Sequence, residues 1–190
     1  MDYLHSNLFL IPIGIGTSYV YLNFKHQENT ILSNIVLFLT FMYFFIDFLL
    51  MIKWYKPKNN VYFIHHTIGM MSLYICYFHY NHMLEYIFAY LMFELSTPFL
   101  NIALHYKKHN INNIFTLINQ LIFMIIFIIV RIFFGSYLLF VTSIKIINIG
   151  HPAHYLVFLP IVLQVMNFWW FYKIIRIFMY KLQKQKVSTD

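Results

Sequence analysis

The chain reads as an all-α membrane protein, a multi-pass transmembrane bundle or barrel of about six helices. Three observations predict this. Its 190 residues are 61% hydrophobic and only 10% charged, more apolar surface than a water-soluble domain of that length could hide. Runs of about 20 apolar residues, enough to cross roughly 30 Å of hydrocarbon, recur along it. Five of those runs carry one stripe of polar or small residues at helical spacing, which a helix facing lipid alone does not need.

The first run, 8–24, is short and contains Pro12. With no basic leader and no small-residue cleavage site it reads as a retained helix and not as a removable signal peptide. It lacks a polar stripe and is expected at the periphery. The second, 31–52, carries Thr40, Tyr43 and Asp47; the third, 62–80, carries His65, Gly69, Ser72, Cys76 and His79. Along the fourth, 83–104, the stripe is Tyr90, Glu94, Thr97, Pro98 and Asn101, continued by His105. On the fifth, 114–134, it is Thr116, Gln120, Met124, Phe127 and Arg131, and on the sixth, 153–172, Pro160, Gln164, Asn167 and Phe171. Residues 135–149 are apolar but short and interrupted by Lys145; they extend the fifth helix or lie at the interface, and the pattern leaves both open. The expected organisation is a first helix and loop at 1–30, a transmembrane domain at 31–180 and a basic cytosolic tail at 181–190.

Lysine sets the orientation, because short cytoplasmic loops collect Lys and Arg. Six spans put Lys53, Lys56, Lys58, Lys107, Lys108, Lys181, Lys184 and Lys186 on one side and only Lys25 and Lys145 on the other. Both termini are then cytosolic. The formal charge of +7 is accounted for by this asymmetry and by attraction to anionic head groups. Nucleic-acid binding is a poor rival, since the lysines are scattered over short loops. The single cysteine, Cys76, excludes an internal disulfide and a cysteine zinc site.

Polar seams on five helices can pack only against one another or around water, so a shared polar centre is expected. Asp47, His65, His66 and Asn101 each fall within about five residues of the cytosolic end of their helix, roughly 5–8 Å inside that face. A cavity open to the cytosolic leaflet follows. Glu94 lies deeper, and Pro98 leaves the Glu94 carbonyl without its helical donor. The candidate cavity residues are Asp47, Ser72, Glu94, Ser96, Pro98, Asn101, Gln120, Arg131, Gln164 and Asn167, with His65 and His66 as candidate catalytic groups. Each has a plainer reading. Asp47 and Glu94 are buried carboxyls that glue helices together or functional acids. Arg131 pairs with one of them or snorkels to the opposite head groups. The His65 and His66 side chains diverge by about 100° on a helix, so only one points straight into the seam. A di-iron centre built from His79 and His82, His105 and His109, and His151 and His154 is disfavoured, because the pairs fall on opposite faces about 30 Å apart. No metal site is expected.

His65-His66-Thr67 near the start of one span, then Glu94-Leu95-Ser96-Thr97-Pro98-Phe99-Leu100-Asn101 in the next, resemble the TLC-domain family of eukaryotic membrane proteins. Arg131-Ile132, Leu163-Gln164 and Asn167-Phe168-Trp169-Trp170 match the later part of that pattern. The resemblance implies a six-helix barrel in the endoplasmic reticulum or related membranes with a lipid-accommodating centre. The ceramide synthases of this family transfer a fatty acyl group from acyl-CoA to a sphingoid base, with a His-Asp-x-x-Asp element about one helix after the histidine pair. At that distance this chain has Met92, Phe93, Glu94 and Ser96, so it resembles more the smaller TLC-domain-containing branch, associated with membrane-lipid composition.

Two functions of different class follow as expectations. In the first, the protein binds or regulates membrane lipid, its expected partner, in sphingolipid or phospholipid homeostasis and needs no cofactor. In the second it is an N-acyltransferase, with acyl-CoA as co-substrate, a histidine taking the proton or the acyl group, and Asp47 or Glu94 fixing its tautomer.

Overall fold

A computed structural model describes residues 3–23, 31–53 and 60–187, with backbone alone for 3–6, 8–9 and 180–187. Lys25, Lys56 and Lys58 of the charge argument lie outside these residues. Among the described residues there is no strand. The helices are α1 (Tyr3–Asn23), α2 (Ile31–Lys53), α3 (Asn60–His79), α4 (Leu84–Leu91), α5 (Thr97–Lys108), α6 (Ile114–Phe127), α7 (Gly135–Ile149) and α8 (Phe158–Val187).

Several of these are pieces of one rod. A 3-10 turn at Asn81–Met83 leads into α4, and a second at Met92–Ser96 joins α4 to α5. A π-helical stretch, Ile128–Phe134, joins α6 to α7, and the 3-10 segment Ala153–Val157 leads into α8. The described chain thus forms six rods, close to the six expected spans. Four of them, Ile31–Lys53, Asn81–Lys108, Ile114–Ile149 and Ala153–Met179, are long and apolar enough to cross a membrane. In α3 the apolar run is diluted by the polar face that carries His65, His66, Ser72 and His79.

Of the two alternatives for 135–149, the structure takes the extension. Lys145 lies within α7 as an exposed residue, and a single lysine on a lipid-facing or interfacial side does not end a helix. At the far end Gly150, at φ 87°, turns the chain where L side chains rarely go. At the near end Asn113 caps α6, its Oδ1 accepting from Thr116 N–H at 3.0 Å.

The rods close a ring: α1 beside α2, α2 beside α3, α3 beside α8, α8 beside α7 and the π stretch, and α6 and α7 beside the rod of α4 and α5, which returns to α1. The interior holds Leu10, Ile13, Phe44, Phe88, Phe93 and Leu138, all buried, while the exposed outer apolar residues suit a hydrocarbon solvent. Close approach depends on Gly69, where a Cβ would stand 2.7 Å from Phe44 Cε2, and on Gly135, where it would stand 2.7 Å from Gln164 Oε1.

The expectation of a peripheral first helix needs correction. Leu10, Ile13 and Thr17 of α1 are fully or almost fully buried, and the helix packs against α2, α4 and α5. Asn7 ties it to α5: its Nδ2 donates to Pro98 O at 3.4 Å and its Oδ1 accepts from Asn101 Nδ2 at 2.9 Å. A contact made by one asparagine draws no periodic stripe, and so gives no seam to read.

Candidate functional site

The site begins with a proline. Pro98 cannot donate a backbone hydrogen bond, and the turn before it tightens to 3-10 geometry over Met92–Ser96. The Glu94 carbonyl, expected to be left unpaired, accepts instead from Thr97 N–H. One residue earlier the Phe93 carbonyl is turned inward and accepts from Ser96 Oγ at 3.1 Å and from Arg131 Nε, also at 3.1 Å.

That capture holds an ion pair inside the bundle. Glu94 and Arg131 are both buried, with Arg131 Nη2 3.7 Å from Glu94 Oε1. Thr97 Oγ1 bridges them, accepting from Arg131 Nη2 at 3.1 Å and donating to Glu94 Oε2 at 2.8 Å. Arg131 Nε also donates to Ser96 Oγ at 3.0 Å. The rings of Phe93, Phe127 and Trp170 surround the guanidinium at 5.8, 5.5 and 5.7 Å. Charges survive in such surroundings only when paired and hydrogen-bonded, and this pair is both.

Arg131 therefore does not snorkel. The reading that set it near the opposite head groups ended its helix at 134; the rod runs to Ile149, so Arg131 stands near its middle. The π stretch, in which Gly135 N–H reaches Val130 O, five residues back, surrounds it. Gln164 Nε2 takes the Arg131 carbonyl at 3.1 Å and Ser136 Oγ at 3.2 Å, while Asn167 Nδ2 donates to Gln164 Oε1 at 3.3 Å. The α8 seam thus fixes the rod that carries the arginine.

The two histidines divide their partners between helices. His65 Nε2 faces Glu94 Oε1 at 3.6 Å, and His66 Nε2 lies 3.1 Å from Asp47 Oδ2 on α2. Phe44 packs edge-on against both, 6.2 Å from the His65 ring and 5.1 Å from that of His66, a position that Gly69 leaves open. Trp170 meets the His65 ring at 5.3 Å. The Nδ1 atoms of both histidines are buried and have no hydrogen-bond partner.

Beside His65 lies a cavity of about 920 Å³, counting the part that opens to the surroundings. His65, Glu94 and Phe44 border one end; Tyr80, Ile149 and Ala153 border the other. The wall between them is almost wholly apolar, with Ser72 and the free thiol of Cys76 on the α3 side. Its polar pair Tyr90 and Thr142 is joined by a 3.0 Å hydrogen bond.

This placement differs from a cavity fed at the Asp47 and Asn101 end. Of the four residues expected near one mouth, only His65 lines the cavity; Asp47 is taken up by His66 and Asn101 by Asn7. Among the candidate cavity residues, Ser72 and Glu94 border it. Ser96, Pro98, Arg131, Gln164 and Asn167 stand behind it and build the network that holds Glu94. Gln120 is half-buried on α6 and away from the wall. The seams found the right helix faces, but periodicity cannot say whether a seam meets a partner or a space. The apolar cavity wall carried no such signal, except that Gly69, Ser72 and Cys76 follow His65 on one face of α3. His105 and His109, with rings 4.5 Å apart, and His151 and His154, at 5.0 Å, stay as separate pairs. Among the described residues no group of three His, Cys, Asp or Glu side chains could hold a metal.

A ring of apolar helices around a paired charge and a cavity defines an integral membrane protein of the multi-helix kind. A family model described as the TLC domain matches residues 2–176, and the chain belongs to the TLC-domain family. It is similar to a TLC domain-containing protein of Acanthamoeba polyphaga mimivirus, at 46% identity over 192 residues covering 96% of each chain. It is also similar to a TLC domain-containing protein of Schizosaccharomyces pombe, at 33% identity over 160 residues, 80% of this chain and 53% of that one. The family match takes in α1, in keeping with the burial of that helix.

Proposed function

We propose that this protein holds a membrane lipid in its interior cavity and so binds or regulates lipid, within sphingolipid or phospholipid homeostasis. One observation carries the reading: an almost wholly apolar cavity ends at a histidine whose partner carboxylate is already balanced by an arginine. Pockets that take ligands are mostly apolar with a few converging polar groups. Along α3 the distance from His65 to Tyr80 is about 22 Å, room for a long hydrocarbon chain. The lysine distribution supports cytosolic termini, and the family resemblance supports the endoplasmic reticulum or a related membrane.

The test is purification in detergent followed by mass spectrometry of co-purified lipid. A lipid should accompany the native protein and be lost from Ser72→Trp, whose ring fills the cavity, while the variant still elutes as a folded species. Native protein that purifies free of lipid would end this reading.

A second reading is favoured by the bare Nδ1 of His65. With Nε2–H turned to Glu94, Nδ1 could take the proton from an amine as its nitrogen attacks the thioester carbonyl of acyl-CoA, and the CoA thiolate would leave. Acyl-CoA supplied with a sphingoid base should then give amide product in the native protein and none in His65→Ala.

A further inference from the structure

Three observations about the cavity concern the charge and hydrogen bonding of whatever fills it. The first is an unused atom. His65 borders the cavity, its Nε2 faces Glu94, and its Nδ1 is buried without a partner. Arg131 already balances Glu94, so a second buried positive charge on His65 would be uncompensated. The neutral ring with its proton on Nε2 leaves Nδ1 as a pure acceptor. A buried acceptor with nothing to accept is destabilising, a cost that a donor on the ligand removes.

The second is the lack of a spare cation among the described residues. None of the described lysines or arginines borders the cavity. Arg131 stands behind Glu94 with Nε and Nη2 engaged by Phe93, Ser96, Thr97 and Glu94 and three aromatic rings around it. A phosphate or carboxylate drawn in would meet the Glu94 carboxylate and no counter-charge. The third is that Glu94 has no lone attraction left for an ammonium, since Oε1 faces His65 and Arg131 and Oε2 accepts from Thr97.

We infer that the cavity selects an uncharged lipid with a long chain and a hydrogen-bond-donating head, a hydroxyl or amide N–H, which donates to His65 Nδ1. Phospholipids, fatty acids and alkyl ammonium compounds are the classes it turns away. The inference rests on the lipid-holding role proposed above and names the ligand for that same site. His66, whose Nδ1 is equally bare but which does not border the cavity, takes no part.

The experiment uses the full chain in detergent and tritiated 1-hexadecanol in a scintillation proximity assay, displaced by unlabelled 1-hexadecanol, its methyl ether, hexadecyl phosphate or hexadecylamine. The alcohol should displace at roughly tenfold lower concentration than the ether, which keeps the chain and lacks the donor, and lower than the phosphate or the amine. In His65→Phe the alcohol should weaken to the level of the ether, and in His65→Asn, which keeps an acceptor in the place of Nδ1, part of the preference should return. An ether equal to the alcohol in the native protein, or a phosphate or amine that binds more tightly, overturns the inference while leaving a lipid-holding cavity. Failure of every chain to bind removes the lipid-holding role itself.

Discussion

The two ends of the bundle interior treat their polar residues in opposite ways. Towards Asp47 and Asn101 the seams meet across helices: Asp47 meets His66 and Asn101 meets Asn7. Towards Tyr80 and Ala153 the helices part around an apolar cavity. His65 and Glu94 stand at the boundary. The difference teaches that intramembrane polarity in this fold does two jobs. Most of it holds helices in register, and one ring nitrogen at the border is left over.

The most severe way to break this arrangement is to leave Glu94 buried without its arginine. Arg131→Met should cost about 3–5 kcal/mol, the penalty for removing one partner of a buried pair, seen as a large fall in thermal midpoint in detergent. Arg131→Met with Glu94→Gln should recover much of the loss. A single Arg131→Met variant as stable as the native protein would show that the pair does not carry the centre.

Gly69→Leu tests the border next. Its side chain would run into Phe44, where even a Cβ falls 2.7 Å from Cε2, and overpacking of this kind costs about 1–3 kcal/mol. Because Phe44 packs on both histidines, the variant should also lose co-purified lipid, read by mass spectrometry. At the end away from the cavity, Asn7→Ala should cost about 0.6 kcal/mol, the average for an interhelical hydrogen bond in a membrane, with lipid content unchanged. Asp47→Asn should have the smallest effect on unfolding, about 0.2 kcal/mol, because the Asp47 side chain is 27% exposed and exposed ion pairs contribute little. A loss of bound lipid in Asn7→Ala as great as in Gly69→Leu would erase the distinction between the two ends.

Much of this was legible in the sequence. Six apolar runs gave six rods, and the stripes named the inward faces, because burial in hydrocarbon restricts ionisable groups to the interior. The partners were not legible. Periodicity gives the direction of Arg131 from its helix axis but not its depth, and a helix ended before Lys145 puts it near a rod end, whereas it stands near the middle. The π stretch around Arg131 leaves no mark on the apolar pattern. Nor does the role of α1, where Gly14, Thr17 and Asn7 serve close packing and one hydrogen-bond pair without any charged stripe. The cavity wall escaped for the simplest reason, since an apolar side chain facing empty space has the same letter as one facing lipid.

The rod formed by α6, the π stretch and α7 is 36 residues long. At 1.5 Å per residue it measures about 54 Å, against roughly 30 Å for the hydrocarbon layer and an average lean of about 20°. It must lean far more steeply, thicken the bilayer around itself or carry apolar turns out among the head groups. The rod that carries Arg131 is thus longer than the layer it crosses, and its excess is taken up by its own lean or by the lipid around it.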